Sequence, residues 1–150
     1  MTRTLEKILI AIDDSPASLT AVEQGLAIAA DEQAEVVFVH VVPIACENLL
    51  PHPTRTERVP GRARTRLLRT ATAMADAVGV ESTAELLVGY PAAQIALLAD
   101  ELAVDLVVIG SRHMTGIKRF LLGSTSRALL GETLRPVLVV PEITLEPAVA

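Results

Sequence analysis

The stretch Gly110 to Thr125, GSRHMTGIKRFLLGST, holds the residues whose types and spacing point most directly to a ligand. Gly110 follows an apolar run, and Gly123, Ser124 and Thr125 lead into a helical pattern. Glycine supplies positive φ and lets backbone amides approach a ligand with no Cβ in the way. The opening turn of a helix offers unpaired N–H groups and the positive end of the helix dipole, which together form an anion site. Two such ends facing one space suit a polyphosphate. Four or five charge-assisted hydrogen bonds, at roughly 1.5–3 kcal/mol each, set against an association cost of about 4–15 kcal/mol, reach micromolar affinity. The competing reading is that Gly110 only ends a strand and Gly123-Ser124 only caps a helix, and spacing alone leaves the two level.

Charge supports the first reading. No acid stands between Asp105 and Glu132, whereas Arg112, His113, Lys118, Arg119 and Arg127 do. A second basic cluster, Arg55, Arg58, Arg62, Arg64, Arg66 and Arg69, reads as a solvated loop and the outer face of a helix. Two familiar phosphate motifs are absent. The P-loop needs Gly-Lys-Ser/Thr where this chain has Gly123-Ser124, and the dinucleotide fingerprint needs glycines after the first strand, where Asp13-Asp14-Ser15-Pro16 stand. Asp13 reads either as a ligand acceptor or as a turn-forming, helix-capping carboxylate. His40 reads as a satisfied strand residue, and neither His52 nor Cys46 belongs to a metal-type cluster, so no structural metal is expected.

The elements that must position these residues alternate between strand and helix. Lys7 to Ile12 and Glu35 to Val42 are short β-branched runs, each a buried strand. Between them Ser15 is an N-cap, Pro16 suits the first helical position, and Leu19, Val22, Leu26 and Ala29 form an apolar stripe. Pro43 to Gly61, with four prolines, reads as a long irregular loop. A helix over Arg64 to Val78 follows, with Leu67, Ala71, Met74 and Val78 on one face and Gly79 as its C-cap. Then come a strand at Ser82 to Val88, a helix at Ala92 to Ala103, a doubly buried strand at Asp105 to Ile109, a short helix at Ser124 to Gly131 and an edge strand at Pro136 to Pro141. Right-handed crossovers then imply a mostly parallel five-stranded sheet, an α/β fold in one domain spanning 1–150.

Composition narrows the setting. With 51% hydrophobic residues but 2% aromatics, aliphatic side chains and alanine fill a core between a sheet and its helices. A net charge of -5 argues against nucleic-acid and anionic-membrane partners. The single cysteine cannot form an intrachain disulfide, the apolar run at the start is too short for a secretory signal, and charges interrupt every apolar stretch, so a cytoplasmic location is expected.

On these residues the chain resembles the universal stress protein family, in its small single-domain, nucleotide-binding form. Members carry Gly-x2-Gly-x9-Gly-Ser/Thr after the fourth strand, an aspartate at the end of the first and a His-Val pair ending the second. Gly110, Gly123-Ser124, Asp13 and His40-Val41 match, and His113 stands where the second glycine falls, with Gly116 three residues later. The resemblance implies a three-layer sandwich of the adenine nucleotide alpha hydrolase-like type, strand order 3-2-1-4-5. It implies an adenine nucleotide such as ATP, with Mg²⁺ as an optional companion, at the switch point of the sheet. Asp13 would meet the ribose, Val41 and Ala11 the base, and Gly110, Ser111, Arg112, His113, Gly116, Gly123, Ser124 and Thr125 the phosphates. It also implies a homodimer through the last strand, which an exposed valine-rich edge favours on its own account.

Three functions follow for test: a nucleotide-binding regulator of the stress response, a dimeric interaction module whose loop His113 has closed, and an enzyme. The loop shows no general base and the Ser-Gly-Gly-x-Asp-Ser pyrophosphatase signature is missing, so a non-enzymatic role is expected, with weak ATP hydrolysis the open alternative.

Overall fold

A computed structural model describes residues 4–43, 57–58, 66–111 and 123–142. In chain order the elements are β1 (Lys7–Ala11), α1 (Pro16–Glu32), β2 (Glu35–Pro43), β3 (Glu57–Arg58), α2 (Arg66–Ala77), β4 (Ser82–Gly89), α3 (Pro91–Glu101), β5 (Leu106–Ser111), α4 (Ser124–Glu132) and β6 (Val137–Pro141). The sheet order is β3-β4-β2-β1-β5-β6. The five longer strands are all parallel, in the expected 3-2-1-4-5 arrangement. The two-residue β3 adds antiparallel to β4, Glu57 opposite Val88 and Arg58 opposite Leu87. It falls inside the stretch read as irregular loop, because a strand that short shows no apolar period.

Alternation along β1 divides the core in two. Ile8 and Ile10 pack with Phe38, Leu26 and Leu68 under α1 and α2. Leu9 and Ala11 pack with Val37, Val39, Ile95, Leu98 and Leu129 under α3 and α4. Both faces being covered, the central runs Ile8 to Ala11, Val36 to Val39 and Leu106 to Ile109 are continuously apolar, as buried parallel strands require.

Local signals place α1 well. Ser15 is its N-cap, accepting from Ser18 N, and Pro16 occupies the first turn. Leu19, assigned to the apolar stripe, is 51% exposed, while Val22, Leu26 and Ala29 are buried. Val78, expected on the stripe of α2, falls one residue beyond the end of that helix and is 54% exposed. Gly79, at φ +71°, is the left-handed residue expected after α2. The helix α3 stops at Glu101, two residues short of its expected end, with Ala103 left-handed at φ +50°.

Candidate functional site

The carboxyl ends of β1, β2 and β5 and the start of α4 enclose a cavity of about 410 Å³, within the roughly 300–1,000 Å³ typical of small-molecule sites. Its position follows from topology. β1 lies between β2 and β5, with α1 and α2 on one face of the sheet and α3 and α4 on the other. The helix that follows β1 and the helix that follows β5 thus lie on opposite faces of the sheet, which leaves a crevice at the carboxyl ends of these two neighbouring strands.

One wall is apolar. Ala11, Val39, Val41, Ile109, Pro91 and Ile95 line it, making a slot suited to a flat heteroaromatic ring. Val41 brings polar atoms to the same wall. The backbone N–H and C=O groups of a strand point alternately to its two neighbours. Ile12 N donates to Val39 O at 2.8 Å, so the backbone groups of Val41 point to the same side, beyond the end of β1 and into the cavity. A base edge could be read there by one donor and one acceptor.

At the β1 end, Asp13 N donates to Ser18 Oγ (2.9 Å) and Asp13 Oδ1 accepts from Ser15 N (2.8 Å). The turn-forming role weighed for Asp13 is thus realised, and the same residue lines the cavity. His40 Nδ1 donates to Ile12 O at 2.9 Å, so Ile12, the residue before Asp13, is tied to β2 through both its N–H and its C=O.

The opposite end of the cavity is the first turn of α4. Gly123 is the N-cap, with φ -61°, and makes no side-chain cap bond. Ser124, Thr125 and Ser126 follow at the lining. Ser126 is buried and its hydroxyl donates to Gly123 O at 3.0 Å, while Arg127 N closes the first intrahelical bond to the same carbonyl. The preceding amides of the turn face the cavity as an anion site.

Gly110 serves a different purpose from the one its sequence suggests. It does not adopt positive φ. A Cβ there would lie 2.7 Å from Ala17 C and O and 2.8 Å from Ser18 N. Glycine is needed because β5 touches the first turn of α1, which holds the Asp13 turn in place. Ser111, expected near phosphates, is 1% exposed and lies outside the cavity lining. Ala11, Asp13, Val41, Gly110, Gly123, Ser124 and Thr125 do come together, and Arg112, His113 and Gly116 lie outside the described residues.

Sequence reasoning missed Asp14, Ser18 and Ser126 as lining residues, and Pro91 and Ile95 as walls. Their only signal was position just after a strand end or at a helix start. It also missed Gln94, which is fully buried against Gly89, with no hydrogen-bond partner for either amide atom among the described residues. Among the described residues the charged groups lining the cavity are the carboxylates Asp13 and Asp14, and no cluster of three or more His, Cys, Asp or Glu side chains occurs. No described helix is long and apolar enough to cross a membrane.

Comparison with known proteins identifies the class. The family model "Universal stress protein family" matches residues 4–141. A universal stress protein of Methanocaldococcus jannaschii, MJ0531, is 33% identical over 138 residues, covering 90% of this chain and 81% of that one. A crystal structure of a universal stress protein in complex with cAMP superposes with TM-score 0.70 at 26% identity, over 94% of this chain and 100% of that one. One from Arabidopsis thaliana with AMP bound gives 0.67 at 19% identity, over 95% and 97%. The chain belongs to the universal stress protein family.

Proposed function

We propose that the protein is an adenine-nucleotide-binding regulator of the stress response that takes ATP, with Mg²⁺ as the triphosphate's counter-ion, and acts without catalysing a reaction. The observation that carries this reading is the meeting, in one cavity, of the outward backbone groups of Val41 on an apolar slot and the amide-rich first turn of α4. The slot fits a purine, and the turn fits phosphate. Ala11 and Val41 would hold the base, Asp13 the ribose hydroxyls, and Gly123, Ser124 and Thr125 the phosphates. Relatives in complex with cAMP and with AMP support an adenine ligand. The cavity's carboxylates, Asp13 and Asp14, accept hydrogen bonds and can meet a phosphate-bound cation.

Titration calorimetry with ATP and Mg²⁺ tests this. Nucleotide at a hundred times its Kd should stabilise the fold by about 2.7 kcal/mol, raising Tm by roughly 5–10 °C for a domain of this size. No heat and no shift at millimolar nucleotide would refute it. Phosphate release clearly above a Gly123→Val control would make it an enzyme instead.

The reading includes a cytoplasmic homodimer. β6 is an edge of the sheet, and Val137, Leu138 and Val139 are only partly buried. Pairing this edge with a second copy would satisfy its backbone and cover these side chains. Light scattering at micromolar concentration should give the dimer mass, and a monomer would contradict it.

A further inference from the structure

Charges of opposite sign are sorted to the two ends of the molecule. Of the Lys and Arg residues, only Arg3, Lys7 and Arg135 lie outside 55–69 and 112–127, and those two segments hold a single acid, Glu57. Arg66 and Arg69 stand exposed in the first turn of α2, and Arg127 in the first turn of α4. All three are beside the cavity, whose lining includes their chain neighbours Leu67 and Ser126. Acids mark the other end. Glu32, Asp76, Glu101 and Glu132 fall in the last turns of α1, α2, α3 and α4, and Glu6, Glu35, Glu81 and Asp105 stand at or just before the starts of β1, β2, β4 and β5. The cations described at that end, Lys7 and Arg135, are ion-paired to Glu35 and Asp100 at 3.0 and 3.3 Å. Among the described residues Arg66, Arg69 and Arg127 have no such partner.

This sorting runs against helix stability and with the helix dipoles. An acid stabilises the first turn of a helix and a cation the last, yet none of the four helices has an acid in its first turn or a base in its last. Each helix runs back from the carboxyl end of a parallel strand, so the positive helix ends gather on the cavity side and the side chains add to them. The two poles act separately. With 5 residues in β1 and 9 in β2, at roughly 3.3 Å each, the ends lie about 17–30 Å apart, against a Debye length of about 8 Å at physiological salt. Asp13 and Asp14 stand within the cavity, whereas the cations lie outside its lining, where an approaching ligand is met first.

We propose that this polarity guides anionic nucleotides into the cavity, so that association quickens with ligand charge and a triphosphate is captured faster than a monophosphate or an uncharged nucleoside. The inference rests on the nucleotide-binding reading above. Steering of this kind raises association rates by about 10–10³-fold and fades with salt, whereas a group in contact with bound ligand acts on dissociation.

Stopped-flow fluorescence tests it, with ATP, AMP and adenosine each carrying the same methylanthraniloyl group on the ribose, at pH 8.0 without Mg²⁺. Between 20 and 300 mM NaCl, association of the ATP derivative should slow about tenfold, that of the AMP derivative less, and that of the adenosine derivative less than about twofold. At 100 mM NaCl the triple variant Arg66→Gln, Arg69→Gln, Arg127→Gln should slow association of the ATP derivative about threefold, with dissociation within about twofold of the parent. The triple variant Asp31→Asn, Asp76→Asn, Glu132→Gln removes as many charges from exposed positions at the far pole. It should leave association nearly unchanged. Rates indifferent to salt or to ligand charge, an arginine variant that acts only on dissociation, or a far-pole variant that changes association as much as the arginine variant does would each overturn the proposal. No heat from unlabelled ATP in calorimetry on the parent would instead overturn nucleotide binding itself, so the two failures are distinct.

Discussion

The two ends of the sheet are made from the same strands and finished in opposite ways. At the amino end, Asp105 Oδ2 accepts from Glu6 N at 2.9 Å and Lys7 N at 3.1 Å, and Asp105 N donates to Lys7 O at 2.8 Å. Lys7 Nζ reaches Glu35 at 3.0 Å, and Glu35 N donates to Glu6 O at 2.9 Å. The starts of β1, β2 and β5 are stitched to one another. At the carboxyl end the backbone groups of Val41 and the first amides of α4 point into a cavity. Polar groups paired within the chain stabilise the fold, whereas those left to solvent are available to a ligand. Binding is expected where folding leaves the hydrogen-bonding incomplete.

Substitutions can probe that contrast. The largest effect is expected from Gly110→Val, which puts side-chain atoms into the backbone of Ala17 and Ser18. It should lose about 3 kcal/mol in urea denaturation, and an unchanged midpoint would show that the strand and α1 are not in firm contact. Asp105→Ala removes the acceptor from two backbone N–H groups at the closed end. A loss of about 2 kcal/mol is expected, with nucleotide affinity within twofold of the parent; a large affinity change would mean the two ends are coupled. Asp13→Ala, at the open end, should weaken nucleotide binding about tenfold, or roughly 1.4 kcal/mol, and an unchanged Kd would leave Asp13 with its turn alone. The smallest effect is a gain. Gln94→Met replaces a buried amide that has no partner among the described residues by an apolar chain of similar length and should raise stability by about 1 kcal/mol, and a loss would show that the amide has a partner.

The strands and helices were readable because burial on both faces leaves long apolar runs, and because Ser15-Pro16 and Gly79 carry their meaning locally. The order of the strands came from resemblance, since no periodicity encodes which neighbour a strand takes. Leu19 and Val78 show the limit of the helical period, which marks a stripe and not which of its members are buried. Gly110 shows another. That a glycine was needed could be read, but the reason is a contact with a helix more than ninety residues earlier in the chain. His40 was read as a satisfied strand residue, and one of its ring nitrogens is.

The place of β1 at the middle of the sheet also bears on time. Ile8, Leu9 and Ile10 have 0% exposure, and the strand is paired along both margins. Its amides belong to the class that exchanges with deuterium only when the whole domain opens. Asp13 lies two residues beyond this slowest element, so the ligand end of the crevice is tethered to the part of the molecule that yields last.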